Sequence, residues 1–259
     1  MSYYTEENFL TAVLRGDVPG YSVMNGMGEF ESGIVDVDGA DVCRAAEVGG
    51  GARLPEPADA GEQMTVISTS LEDGPGNNGI LTLRIEYLDA DGLFQTEDIV
   101  MNGTTAVDTV ATDIRFVQDM YALTVGPVGV AQGDITVIKK GGAAATDLYQ
   151  FIVAGGNKSL VPHRMVPVGC HLVLKSWSAT EGNNKRAAFR LRSTDMNGLL
   201  LPGVFCFKDT TYLDGSTSGD MSIGVIVPAL SIVKASYWSI IVGSEGSVRW
   251  WGYLIEDGY

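Results

Sequence analysis

Apolar and polar residues alternate most regularly between Leu81 and Tyr87, where Leu81, Leu83, Ile85 and Tyr87 are separated by Thr82, Arg84 and Glu86. Neighbouring residues of a strand face opposite sides, so this pattern predicts a strand with one face in a core and the other in water. A strand is predicted before it, at Met64-Thr65-Val66-Ile67-Ser68, with a Gly/Asn turn region from Gly74 to Gly79 between the two. Asp91-Gly92 and Asn102-Gly103 are pairs that tolerate positive φ in hairpin turns, and they bracket the β-rich segment 93 to 101. Further strands are predicted around 114 to 124 and 134 to 139, separated by Gly126, Pro127, Gly129 and Gly133. Residues 62–140 therefore read as a first antiparallel β-sandwich domain.

Gly141 to Ala145 forms a small-residue hinge. Strand signals resume at 148–153, 171–177, 187–191, 204–207, 222–227, 237–242 and 248–255. Seven short strands in that length predict a second sandwich, jelly-roll-like, over 146–259. The fold class is thus all-β, with two antiparallel β-sandwich domains. Residues 1–61 carry Gly26, Gly28, Gly49 to Gly51 and Pro55-Glu56-Pro57 with little periodicity, and read as an extended arm or attachment segment. A short helix is expected at its start: Thr5 suits an N-cap, Glu6 and Glu7 the first turn, Phe9, Leu10, Val13 and Leu14 share a face, and Gly16 stops it. A fully disordered arm is the alternative.

Composition narrows the function. The chain has 259 residues, 33 of them glycine, with 45% hydrophobic and 19% charged residues, which suits many turns around buried strands. Seventeen Lys and Arg stand against 32 Asp and Glu, a net charge of -15, opposite in sign to what a nucleic-acid binder or a protein of anionic membranes needs. The longest apolar stretch, 223 to 233, is interrupted by Pro228 and is too short to span a bilayer. The first fifteen residues lack the basic start and apolar centre of a secretory signal, which leads to an expectation of assembly in a host cytoplasm. Cys43, Cys170 and Cys206 are odd in number and include no CxxC, so reduced thiols are expected.

Catalytic chemistry is thin, and no enzyme activity, metal or cofactor is expected. Gly215-Ser216-Thr217-Ser218-Gly219 has Thr where a nucleophile elbow needs Ser, and Gly26-Met27-Gly28 lacks the third glycine of a dinucleotide loop. Cys170 and His171 are strand neighbours and point apart. Asp36, Asp38, Glu72, Asp73, Asp89, Asp91, Glu97, Asp98, Asp209 and Asp214 could supply a glycosidase pair, but most sit at turns, where the side chain bonds local backbone. Asp36 to Asp41 lacks the order of a calcium loop. All four tryptophans, Trp177, Trp238, Trp250 and Trp251, lie in the second half. Trp250 and Trp251 are the candidate interface residues: Trp251 shares a face with Tyr253 and Trp250 takes the opposite one, so one tryptophan enters the core while the other meets a neighbouring subunit or a sugar face.

The run ILTLRIEYLDADGLFQTEDIVMNGTTAVDT (Ile80 to Thr109), followed by a Gly-rich segment and Gly133-Asp134-Ile135-Thr136-Val137, resembles a β-domain of tailed-phage virion structural proteins. Asn157-Lys158-Ser159-Leu160, Val166-Pro167-Val168-Gly169, Phe189-Arg190-Leu191-Arg192 and Gly252-Tyr253-Leu254-Ile255 are similar to the sandwich that follows it in such proteins. The resemblance covers about three quarters of the chain. It implies a non-enzymatic building block of a virion, in a tail fibre or on the head; the leading reading is a tail-fibre or tail-appendage subunit that forms a homo-oligomer, a trimer, and docks to other head or tail proteins through residues 1–61, which lie outside the resemblance. A capsid decoration protein is the alternative, and a carbohydrate-binding or carbohydrate-active receptor binder a third.

Overall fold

The computed structural model describes residues 6–31, 60–142, 148–182, 186–202, 204–214, 218–238 and 245–259. In chain order these form α1 (Glu6–Leu14), β1 (Tyr21–Glu31), β2 (Met64–Ser68), β3 (Ile80–Asp89), β4 (Phe94–Val100), β5 (Val107–Asp108), β6 (Ile114–Val125), β7 (Ile135–Lys139) and β8 (Leu148–Ile152). The second half follows as β9 (Arg164–Met165), β10 (Cys170–Glu181), β11 (Arg186–Ser193), β12 (Asp195–Met196), β13 (Leu199–Leu200), β14 (Cys206–Asp214), β15 (Ser218–Val227), β16 (Ile232–Trp238) and β17 (Glu245–Glu256). The protein is nearly all β, and the strand pairs are antiparallel.

Four larger sheets pack in two layered units. Sheet A runs β5-β2-β7-β8 and sheet B runs β4-β3-β6. Met64, Val66, Ile135 and Val137 of sheet A share one core with Leu83, Ile85, Tyr87, Ile99, Val117 and Met120 of sheet B. The alternation of β3 places Leu83, Ile85 and Tyr87 inward and leaves Arg84 and Glu86 on the outer face, as the sequence predicts, but Leu81 is only half-buried and Ile80 enters the core in its place, because the pairing with β6 slips between Ile80 and Thr82. Sheet C runs β1-β17-β10-β15 and sheet D runs β14-β11-β16-β9. Between them lie Leu172, Leu174, Trp177 and Trp250 from sheet C and Phe189, Leu191, Ala235 and Tyr237 from sheet D.

Three expectations are corrected. Two jelly rolls do not clearly form: with the β12–β13 hairpin the described residues make five sheets in a propeller-like arrangement, because strands distant in sequence pair in short sheets. The first unit does not end at 140. Gly141 (φ 75) only turns the chain after β7, and β8 returns to pair with it. Tyr149 and Ile152 of β8 enter the first core while Leu148 and Phe151 enter the second, so the strand is buried on both faces and is shared by both units.

The third correction concerns residues 1–61. The predicted helix forms, ends at Gly16 (φ 75), and sets Phe9 edge-on to Tyr21 and Tyr253, each ring 5.3 Å away. Beyond it, β1 pairs with β17 along all of its eleven residues, so this stretch is an integral strand of sheet C and not an arm. Its glycines concealed the strand. A Cβ on Gly26 would lie 2.5 Å from the Trp250 indole nitrogen and 2.6 Å from the Pro162 carbonyl, and one on Gly28 would meet the Pro162 ring at 2.4 Å. The inner face of β1 is smooth because Pro162 and Trp250 fill the space where side chains would stand.

Candidate functional site

Two consecutive tryptophans of β17 take opposite roles. Trp250 is fully buried, and its indole N–H donates to the Pro162 carbonyl at 2.8 Å. It is therefore a core residue and no interface. Trp177, opposite it on β10, is buried too and donates to Asp209 Oδ2 at 3.0 Å. Trp251 lies on the outer face of sheet C, half-buried, edge-on to Tyr253 with centroids 5.6 Å apart. Among the described residues nothing accepts its indole N–H. The side chain of Trp238 lies outside the described residues.

Register builds the surroundings of Trp251. Across β1, β17 and β10 the pairing sets Asn25, Trp251 and Ser176 in one row, Met27, Arg249 and Ser178 in the next, and Glu29, Ser247 and Thr180 in a third. Residues paired across antiparallel strands share a face, and rows two residues apart lie about 7 Å apart along the strand. Two adjoining hollows of about 410 and 390 Å³ open over these rows and share Met27, Ser178 and Arg249. Arg249 Nε donates to Ser178 Oγ at 3.1 Å. The side chains of Asn25, Ser176, Thr180 and Ser247 make no hydrogen bond among the described residues.

A cleft of about 590 Å³ runs between the two units, bordered by Val23 and Met24 of β1, Leu93 and Phe94 before and in β4, and Val168. Its floor is polar and spent. Asp119 of β6 accepts from Arg164 of β9 at 2.9 Å and from Lys158 at 2.9 Å, while Arg164 also donates to the Val161 and His163 carbonyls. Burial pulls the Arg164 guanidinium below its ordinary range, against the pull of Asp119. Gln118 caps the strand beside it, accepting from Met165 N at 2.9 Å and donating to Met165 O at 2.5 Å. Leu88, Phe116, Met165 and Ile232 pack a third small core across the same junction. The polar floor of the cleft and this small core tie the two units together.

Several other candidates support local backbone, and Asp98 pairs with a side chain. Asp73 is buried and accepts from Ser68 Oγ (2.6 Å) and from the amides of Ile80, Gln132 and Gly133 (2.9, 3.0 and 2.9 Å). Asp89 accepts from Asp91 N and Leu93 N in the predicted hairpin, and Glu97 from Val110 N and Ala111 N. Asp98 holds Arg84 in a two-pronged pair, which keeps its carboxyl below the usual carboxylate range. Burial pushes the Cys170 thiol up, while His171 sits 3.7 Å from Asp257. Cys43 and Asp36 to Asp41 lie outside the described residues, and no group of three metal-ligating side chains occurs among the described ones. No helix among the described residues is long and apolar enough to cross a membrane.

Neither a family model nor a curated protein matches the chain. Among solved structures it is similar to infectious bursal disease virus, Gx strain, at 13% identity over 92% of this chain and 72% of that one, with a TM-score of 0.27. It is also similar to the Gt strain of the same virus, at 12% identity over 96% and 78% of the two chains, with a TM-score of 0.19. Neither is a tailed-phage protein.

Proposed function

We propose that the chain is a non-enzymatic structural subunit of a virus particle, a tail-fibre or tail-appendage protein that assembles with copies of itself, as a trimer, and docks to other particle proteins. One observation carries the reading. Met196, Leu199, Val204, Phe207 and Tyr212, all at least half exposed, line β14 and the β12–β13 hairpin before it, and among the described residues no strand pairs with the outer edge of β14. An open edge bearing large apolar groups is a surface for strand-to-strand association, and in a closed symmetric assembly the partner is a second copy. The hairpin is held for that purpose: Asn197 (φ 50) and Gly198 (φ 84) make its turn, and Lys208 anchors the buried Asp195 carboxylate at 2.9 Å.

Sedimentation of the purified full chain is the test. Three times the 27.5 kDa chain mass is expected, falling to the mass of one chain in Phe207→Glu and Tyr212→Glu with melting unchanged. A single-chain mass for the parent protein at all concentrations overturns the assembly reading. Labelling the protein on intact particles places it on tail or head, and a head position favours the capsid-decoration alternative.

A further inference from the structure

The geometry points to the outer face of sheet C as a saccharide-binding groove, with Trp251 as the platform for a sugar ring and Asn25, Ser176, Ser178 and Arg249 as its hydrogen-bonding partners. This goes beyond the proposed structural role and does not depend on it, since the subunit contact there is assigned to β14.

The chemistry of the rows carries the assignment. A sugar ring has an apolar C–H face and a rim of hydroxyls, so it needs a flat aromatic surface bordered by groups that both donate and accept. Trp251 supplies the first, flanked by Asn25 on β1 and Ser176 on β10. An amide and a hydroxyl each donate and accept, and neither is spent on the protein among the described residues. The next row adds Arg249, whose hydrogen bond to a described residue uses Nε, so that among the described residues its two terminal nitrogens remain to bond the ligand. The two hollows adjoin along the strand direction over about two row spacings, which gives the groove the length of a short oligosaccharide.

Polarity selects this occupant over a second copy of the chain. The face sets Arg249 and Lys175 against Glu29 and Glu245, with Asp220 at the register position beside Ser178, so its charges are mixed and suit a neutral glycan better than an acidic one. A protein partner pressed onto it would desolvate Asn25, Ser176, Thr180 and Ser247 together, and each would need a partner of matching geometry to avoid the cost of burial. A sugar offers several hydroxyls per ring to meet them. The two other described tryptophans have their indole N–H groups satisfied by protein; the Trp251 N–H has no acceptor among the described residues, which leaves it to a ligand.

The experiment uses the full chain on an array of immobilised hexose, N-acetylhexosamine and hexuronate oligosaccharides, followed by tryptophan-fluorescence titration with whichever is retained. Binding to at least one class is expected, weakened roughly tenfold or more by Trp251→Ala through loss of the stacking surface and several-fold by Asn25→Ala. Trp251→Phe, which keeps an aromatic face, should recover part of the loss. Melting and sedimentation run in parallel establish that each variant is folded and of parental mass. The proposal is overturned if no oligosaccharide on the array is retained, if Trp251→Ala and Asn25→Ala bind as well as the parent, or if Trp251→Ala lowers the sedimentation mass, which would make the face a contact between subunits.

Discussion

The junction between the two units and the outer face of sheet C are built from similar residue types and end in opposite states. Each joins strands far apart in sequence and contains a glutamine or asparagine, an arginine and an aromatic ring. At the junction, Gln118 meets both backbone groups of Met165, Arg164 donates to Asp119 and two carbonyls, and the Phe116 ring is buried among Leu88, Met165 and Ile232. On the outer face, the Asn25 amide and the Trp251 indole N–H have no hydrogen-bond partner among the described residues, and the Trp251 ring stands edge-on to Tyr253. Burial makes the difference. A polar group withdrawn from water needs a partner, so Gln118, Asp119 and Arg164 are paired within the protein, while a polar group at the surface is satisfied by solvent that a ligand can displace.

The largest expected effect breaks both regions at once. Removing residues 1–31 strips β1 from sheet C, opening the edge of β17 along eleven pairs and uncovering Trp250 and Pro162. The truncated chain should lose its cooperative thermal transition, measured by circular dichroism; a two-state melt like that of the full chain would show β1 to be dispensable. Next is Asp119→Ala, which leaves Arg164 buried without its carboxylate and should cost about 3–5 kcal/mol in denaturant titration. A loss near that of an exposed ion pair would mean the junction admits water. The smallest effect should be Trp251→Ala, within about 1 kcal/mol of the parent, because the ring lies outside both cores. A cost as large as that of Asp119→Ala would reveal Trp251 as structural and erase the contrast between the two regions.

Much of this was legible along the chain. The alternation at 81–87 and the Asp-Gly and Asn-Gly turns are local signals, and β3, β4 and the hairpin between them follow directly. The helix with its glycine stop was legible for the same reason, and so was the opposed facing of Trp250 and Trp251. The Asn197-Gly198 hairpin was also available in the residues, as the strongest short turn signal. So was β1, in the alternation of Tyr21, Val23, Asn25 and Met27, had Gly26 and Gly28 been taken as a smooth inner face and not as loop.

What the sequence determined by itself was the all-β class, the acidic surface, most strand positions and the face each side chain takes, because period and turn chemistry depend only on neighbours. Which strands pair was decided by the tertiary structure. Nothing near β8 says that its two faces serve different cores, nothing near Asp119 names Arg164 as its partner 45 residues on, and nothing in β1 points to β17 more than 200 residues away. Those choices depend on which apolar faces meet when the whole chain collapses, and the rows around Trp251 exist only because that collapse set β1, β17 and β10 side by side in one register.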